Sequence, residues 1–131
     1  MSQTPVAVGL LVCEQLIVEE KTKNITAVNC FSRRIVPEIP PEPFSFAIYA
    51  VLTDGLGTMT ARVVISRLDT DEDIYQRSLS FHFANPLQEI RCLLRVGDCS
   101  FPIAGAYQVS LFVDRELVAN RKLHILKEPS S

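Results

Sequence analysis

Two histidines, four cysteines, an acidic run and a serine–histidine row carry the chemistry available to this 131-residue chain. His82 and His124, with Cys13, Cys30, Cys92 and Cys99, would be metal ligands at the short paired spacing, such as Cys-x2-Cys, that a structural zinc site requires. The closest pair, Cys92 and Cys99, has six residues between its members and no second pair beside it. Cys92 also shares parity with Ile90 and Leu94, which makes it a small core residue. Asp69-Thr70-Asp71-Glu72-Asp73 opens like a calcium loop, but Ile74 stands where the loop needs glycine and Ser80 where it needs a bidentate glutamate. An acidic turn between strands is the better reading. Ser78, Ser80 and His82 share one outward strand face, a pattern that any solvated sheet face produces, and no Gly-x-Ser-x-Gly elbow accompanies them. Gly55 and Gly57 lead into a strand, not into the helix N-terminus that would cradle a phosphate. Arg33-Arg34 beside Phe31 would stack on a base and hold a phosphate. Glu38 and Glu42 follow at once, however, and the net charge is -2, where a nucleic-acid binder carries a basic excess. The expectation is a chain that is not an enzyme and takes no cofactor, no metal and no nucleic acid.

The elements that position these residues alternate with period two, and no window has a convincing helical period. Phe44, Phe46, Ile48, Ala50 and Leu52 alternate with Ser45, Ala47, Tyr49, Val51 and Thr53; Met59, Ala61, Val63 and Ile65 alternate with Thr60, Arg62, Val64 and Ser66. Leu79, Phe81 and Phe83 alternate with Ser78, Ser80 and His82; Ile90, Cys92, Leu94 and Val96 oppose Glu89, Arg91 and Arg95. Tyr107, Val109, Leu111 and Val113 run through Asp114-Arg115-Glu116 into Leu117 to Leu126. With Val6 to Cys13 and Ile25 to Phe31 this predicts an all-β fold: a single antiparallel β-sandwich of about eight strands, immunoglobulin-like or jelly-roll-like. It forms one domain over residues 1–131, with an ordered core from about 6 to 127. A chain of this length buries roughly two-thirds of its unfolded surface, enough to fold without staples. Asp54-Gly55-Leu56-Gly57 is expected to be a hairpin loop whose glycines take positive φ. Pro37, Pro40, Pro41 and Pro43 make the segment from Val36 to Pro43 a stiff crossover between sheets, since proline removes ladder donors. Met1 to Pro5 and Glu128 to Ser131 are expected to fray.

Four cysteines in a chain this long and aliphatic do not read as a disulfide scaffold. The apolar run Val6 to Cys13 has no Lys or Arg before it, is followed by Glu14, and is far shorter than the roughly 20 residues of a membrane span. A cytoplasmic protein with free thiols and no membrane association is expected.

Leu11-Val12-Cys13-Glu14, Leu16-Ile17-Val18-Glu19 and Asn24-Ile25-Thr26-Ala27-Val28 suggest a strand pair across a Glu/Lys turn. Near the end, Phe101-Pro102-Ile103-Ala104-Gly105-Ala106-Tyr107 runs into Val109, Leu111, Val113 and Asp114. This arrangement resembles a family of uncharacterised bacterial β-sandwich proteins, a domain of unknown function, from about Val8 to Ile125. That family implies no catalytic residues. Gly105-x-Tyr107 is also similar to the start of the sixth strand of immunoglobulin-like sandwiches, where the tyrosine hydroxyl bonds back to nearby backbone as a tyrosine corner. Val109 stands where those domains place the second cysteine, and the chain has no Trp. The resemblance therefore implies a sandwich without the extracellular disulfide core.

Function is expected to reside on a surface. The parity opposite the core carries Tyr49, Val51, Phe112 and Val118, where a purely solvated face would be polar. If the strands Ser45–Thr53, Ala106–Asp114 and Leu117–Leu126 share a sheet, these four form one apolar patch rimmed by Gln108, Asn120 and Lys122. Such a patch suits a non-catalytic interaction module that binds a protein partner or itself, most simply as a homodimer. The alternative is a small-ligand or enzymatic domain with a cleft between the sheets.

Overall fold

Period-two alternation becomes nine strands in the computed structural model, which describes residues 3–129. They are β1 (Val6–Val18), β2 (Ile25–Cys30), β3 (Arg33–Val36), β4 (Phe46–Thr53), β5 (Gly57–Arg67), β6 (Asp73–Phe83), β7 (Ile90–Val96), β8 (Gly105–Val113) and β9 (Glu116–Lys127). No helix occurs among the described residues. One sheet has the order β2-β1-β4-β7 and the other β3-β9-β8-β5-β6. Every neighbouring pair is antiparallel except β3 with β9. β3 is the strand beyond the expected eight, and its four residues are too few to show a period.

The expected core parity is the observed one. Phe46, Ile48, Ala50 and Leu52 of β4 are buried against Met59, Ala61, Val63 and Ile65 of β5, Tyr107, Val109, Leu111 and Val113 of β8, and Leu123 and Ile125 of β9. The proline-rich segment carries the chain from β3 in one sheet to β4 in the other, as its missing donors require. Asp114 (φ 46) and Arg115 (φ 78) form the two-residue turn between β8 and β9, with both residues in the left-handed region that such hairpins demand.

Two local expectations are corrected. Asp54 to Leu56 does not close a hairpin, because β4 and β5 lie in different sheets; it is a corner between them. Asp54 (φ 61) and Gly57 (φ 96) take the positive φ there, while Gly55 is needed for another reason. A Cβ on Gly55 would lie 2.5 Å from Cδ2 and Cε2 of Phe83, a ring that is 0% exposed. Gly55→Ala is expected to cost about 1–3 kcal/mol through this overpacking. A urea midpoint equal to that of the wild type would show that the ring can move aside. At the N-terminus, Gln3 does not fray: it exchanges backbone bonds with Leu56 (3.0 and 3.2 Å), and its side chain donates to the Asp54 carbonyl (2.6 Å). The Glu128 N–H likewise donates to the Val36 carbonyl. The expected fraying of Met1, Ser2, Ser130 and Ser131 lies outside the described residues.

Candidate interaction surfaces

Tyr49 and Val51 point away from the core on β4, in the four-stranded sheet, whereas Phe112 and Val118 belong to the five-stranded sheet. The single patch proposed from parity therefore does not exist: its halves lie on different sheets, because β4 pairs with β1 and β7 and not with β8. Three of the four, Tyr49, Phe112 and Val118, also pack against their own chain. Val118 sits at the irregularity between β8 and β9 and packs against the core. Phe112 lies beside Leu117 and under the Arg62 guanidinium, 4.8 Å from the ring centroid. Thr60, Arg62, Ser78, Phe112, Asp114 and Arg115 line a shallow concavity of about 370 Å³ on this face. Its acid is engaged, since the Asp114 carboxylate accepts the Thr60 N–H at 3.0 Å.

The cover over Tyr49 comes from the β1–β2 hairpin. Up to Cys13, even residues of β1 (Leu10, Val12) face the core and Cys13 faces outward onto Ala47. Beyond Glu14 the buried parity changes, and Leu16, 3% exposed, packs on that same outer cluster. Opposite this step, Asn29 is left-handed (φ 52). The hairpin beyond it forms an arm folded onto the outer face of β4 and β7, where Leu16, Ile25 and Ala27 meet Ala47, Tyr49 and Leu93. Two arginines of β7 clasp it: Arg91 donates to the Lys23 carbonyl and Arg95 to the Leu16 carbonyl. Parity alone showed the apolar outer residues of β4; that their cover is a remote hairpin has no local signature.

The remaining candidates fall into structural roles. Ser78, Ser80 and His82 share the outward face of β6, and the His82 Nδ1 bonds the Thr58 hydroxyl (2.9 Å). The acidic run forms the β5–β6 turn, where the Arg67 guanidinium bonds Asp69 at 2.9 and 3.1 Å and holds that carboxyl below its usual range. Arg34 stacks on Phe44 (4.5 Å) and Phe31 (5.7 Å) and reaches Glu14 (3.3 Å), so it is already partnered within the chain.

One side of the sandwich is incomplete. β7 pairs only with β4, and β6 only with β5, so each ends its sheet. Counted outward from the contact of β1 with β9, where Arg121 donates to the Leu10 carbonyl (3.1 Å), the strand orders set β4 against β8 and β7 against β5. β6 thus extends beyond the four-stranded sheet. Its inner parity shows the consequence: Met59, Ala61, Val63 and Ile65 of β5 are buried, but their partners Phe81, Leu79 and Tyr75 are only half-buried and Arg77 is exposed. Leu87, in the link from β6 to β7, is 93% exposed. Nothing in the alternation of β6 marks it as an overhanging edge.

A family of unknown function (DUF6941) matches residues 9–126. The chain belongs to this family. No curated protein matches this DUF6941 chain. Among solved structures, an immunoglobulin-like protein from Pseudomonas aeruginosa matches at 10% identity with a TM-score of 0.44, over 94% of the DUF6941 chain and 97% of its own.

All four thiols of this DUF6941 member are free; Cys13, Cys92 and Cys99 are buried and Cys30 is exposed. Burial pushes the Cys92 thiol up, and burial beside Asp98 pushes Cys99 up to about 12. Cys30 and Cys92 do not form an immunoglobulin-like pair: β1 and β4 stand between their strands. Among the described residues no group of three His, Cys, Asp or Glu is placed to hold a metal ion.

Proposed function

We propose that this chain is a non-catalytic β-sandwich interaction module, and that it binds a protein partner by accepting an extended segment along the free edge of β7. The observation that carries the proposal is that β6, like β7, ends its sheet, with an inner face that is only half-buried. A strand added to β7 bonds its unpaired backbone groups and covers Tyr75, Leu79 and Phe81, which is how sheet edges receive peptides. The chemistry of the occupant follows from the lining. Apolar residues at alternate positions meet β6, and a carboxylate among them meets Arg77, which has no carboxylate within 4 Å among the described residues. A second copy fits less well. Antiparallel pairing of two β7 strands centred on Leu93 sets Arg91 opposite Arg95 of the other copy, and like charges facing across a ladder repel.

Displayed libraries of random nonapeptides, selected on the wild-type protein, test this reading. Enriched sequences should alternate apolar residues and carry an acid. Their synthetic peptides should lose about tenfold or more in affinity, at least about 1.4 kcal/mol, on Leu79→Asp and on Arg77→Glu. Arg77 is exposed, so its replacement leaves the fold intact. Peptides that bind all three proteins equally, or sedimentation showing a dimer that buries β7, would refute the proposal.

A further inference from the structure

Cys13 and Cys30 face each other across the root of the arm. They are direct Cα partners in the β1–β2 ladder, and the neighbouring Phe31 N–H donates to the Val12 carbonyl at 2.9 Å. That bonding makes the cysteines a non-hydrogen-bonded pair, the narrow kind, in which Cα atoms approach to about 4.5 Å and both side chains leave on one face. A disulfide needs Cα atoms about 4.4–6.8 Å apart, so the backbone already satisfies it. The two sulfurs differ in access. Cys30 is exposed, while Cys13 is packed with Leu16 and Ala47. Burial and, after it, the closeness of Cys30 push the Cys13 thiol up. The other two thiols are buried on β7 and in the loop that follows it.

We propose that Cys13 and Cys30 form a dithiol modification site that takes a low-molecular-weight disulfide as co-reactant and closes to an intrachain disulfide. The exposed Cys30 thiolate attacks one sulfur of the small disulfide. That S–S bond breaks, one small thiolate leaves and is protonated by solvent, and Cys30 carries a mixed disulfide. Cys13 releases its proton to solvent and attacks the Cys30 sulfur, expelling the second small thiolate, which is protonated in turn. Two protein thiols are oxidised and one small disulfide is reduced to two thiols. Burial keeps Cys13 from reacting with the co-reactant directly, but not with a sulfur on its own cross-strand neighbour. The bond fastens β1 to β2 where the arm begins, and an excess of small thiol reverses it.

Reduced protein incubated with oxidised glutathione at pH 8, quenched in acid over time and followed by intact mass and peptide mapping, tests the site. The wild type should pass through a glutathione adduct on Cys30 and end with a loss of two hydrogens mapped to Cys13–Cys30. Cys13→Ser should stop at a persistent Cys30 adduct. Cys30→Ser should take no adduct at Cys13 in the time the wild type reacts fully. Cys13→Ala, which puts no hydroxyl into the packed cluster, should behave as Cys13→Ser does and serves if the serine variant unfolds. A wild type that stays reduced, keeps its adduct or joins any other pair overturns the proposal.

Discussion

Tyr107→Ala is expected to lower stability by about 3–5 kcal/mol, and Tyr107→Phe by only about 1 kcal/mol. The ring is 1% exposed and meets Phe101 edge to face, centroids 5.0 Å apart, so truncation leaves a cavity in the core. The hydroxyl donates to the Ile103 carbonyl at 2.6 Å and accepts the Ile103 N–H at 3.3 Å, tying the preceding loop to β8 as a tyrosine corner. Phenylalanine loses those bonds and keeps the packing. The pH dependence isolates the share of the hydroxyl. Burial raises the Tyr107 pKa above the ordinary 10, so its contribution to stability is complete below pH 10 and is lost as pH rises through the raised folded value. Tyr107→Phe should abolish that share of the alkaline loss and leave the share due to buried Cys99. Urea midpoints at pH 7 and pH 10.5 check both statements; equal small effects of both substitutions would show that the ring is dispensable.

Leu16→Ala should cost about 2–3 kcal/mol, at the lower end for a buried leucine because the arm can settle into the space. The loss should be local. Amides of Gln15–Val18 and Ile25–Val28 should exchange faster by an order of magnitude or more, while those of β5 and β8 change only as far as global stability does. Arg91→Ala, which removes one clasp on the Lys23 carbonyl, should act in the same direction and more weakly. Site-resolved hydrogen exchange reads all three. Uniform acceleration across both sheets would mean that the arm is no separate unit but part of the core.

Which side of each strand faces the core was legible, because period-two alternation is a property of a strand by itself. Phe46, Ile48, Ala50, Val109, Leu111, Leu123 and Ile125 are all buried as their parity required. Which strand neighbours which was not. The linker Asp54 to Leu56 has the composition of a hairpin and serves as a corner, and that difference removed Tyr49 and Val51 from the sheet of Phe112 and Val118. Boundaries failed where alternation was interrupted. β1 continues to Val18 past the parity change at Glu14, and β6 begins at Asp73 inside an acidic run that reads as turn. The apolar outer parity of β4 did report something physical: the arm packs on Ala47 and Tyr49. The proposed docking side depends on a mismatch of four strands against five, a property of the whole sandwich that no segment encodes.

Amide exchange along β7, with and without a saturating selected peptide, tests strand addition most directly. Protection should rise along Ile90–Val96, and the rates on the outer faces around Tyr49 and Phe112 should stay as they were. Protection at either outer face, with β7 unchanged, would contradict it.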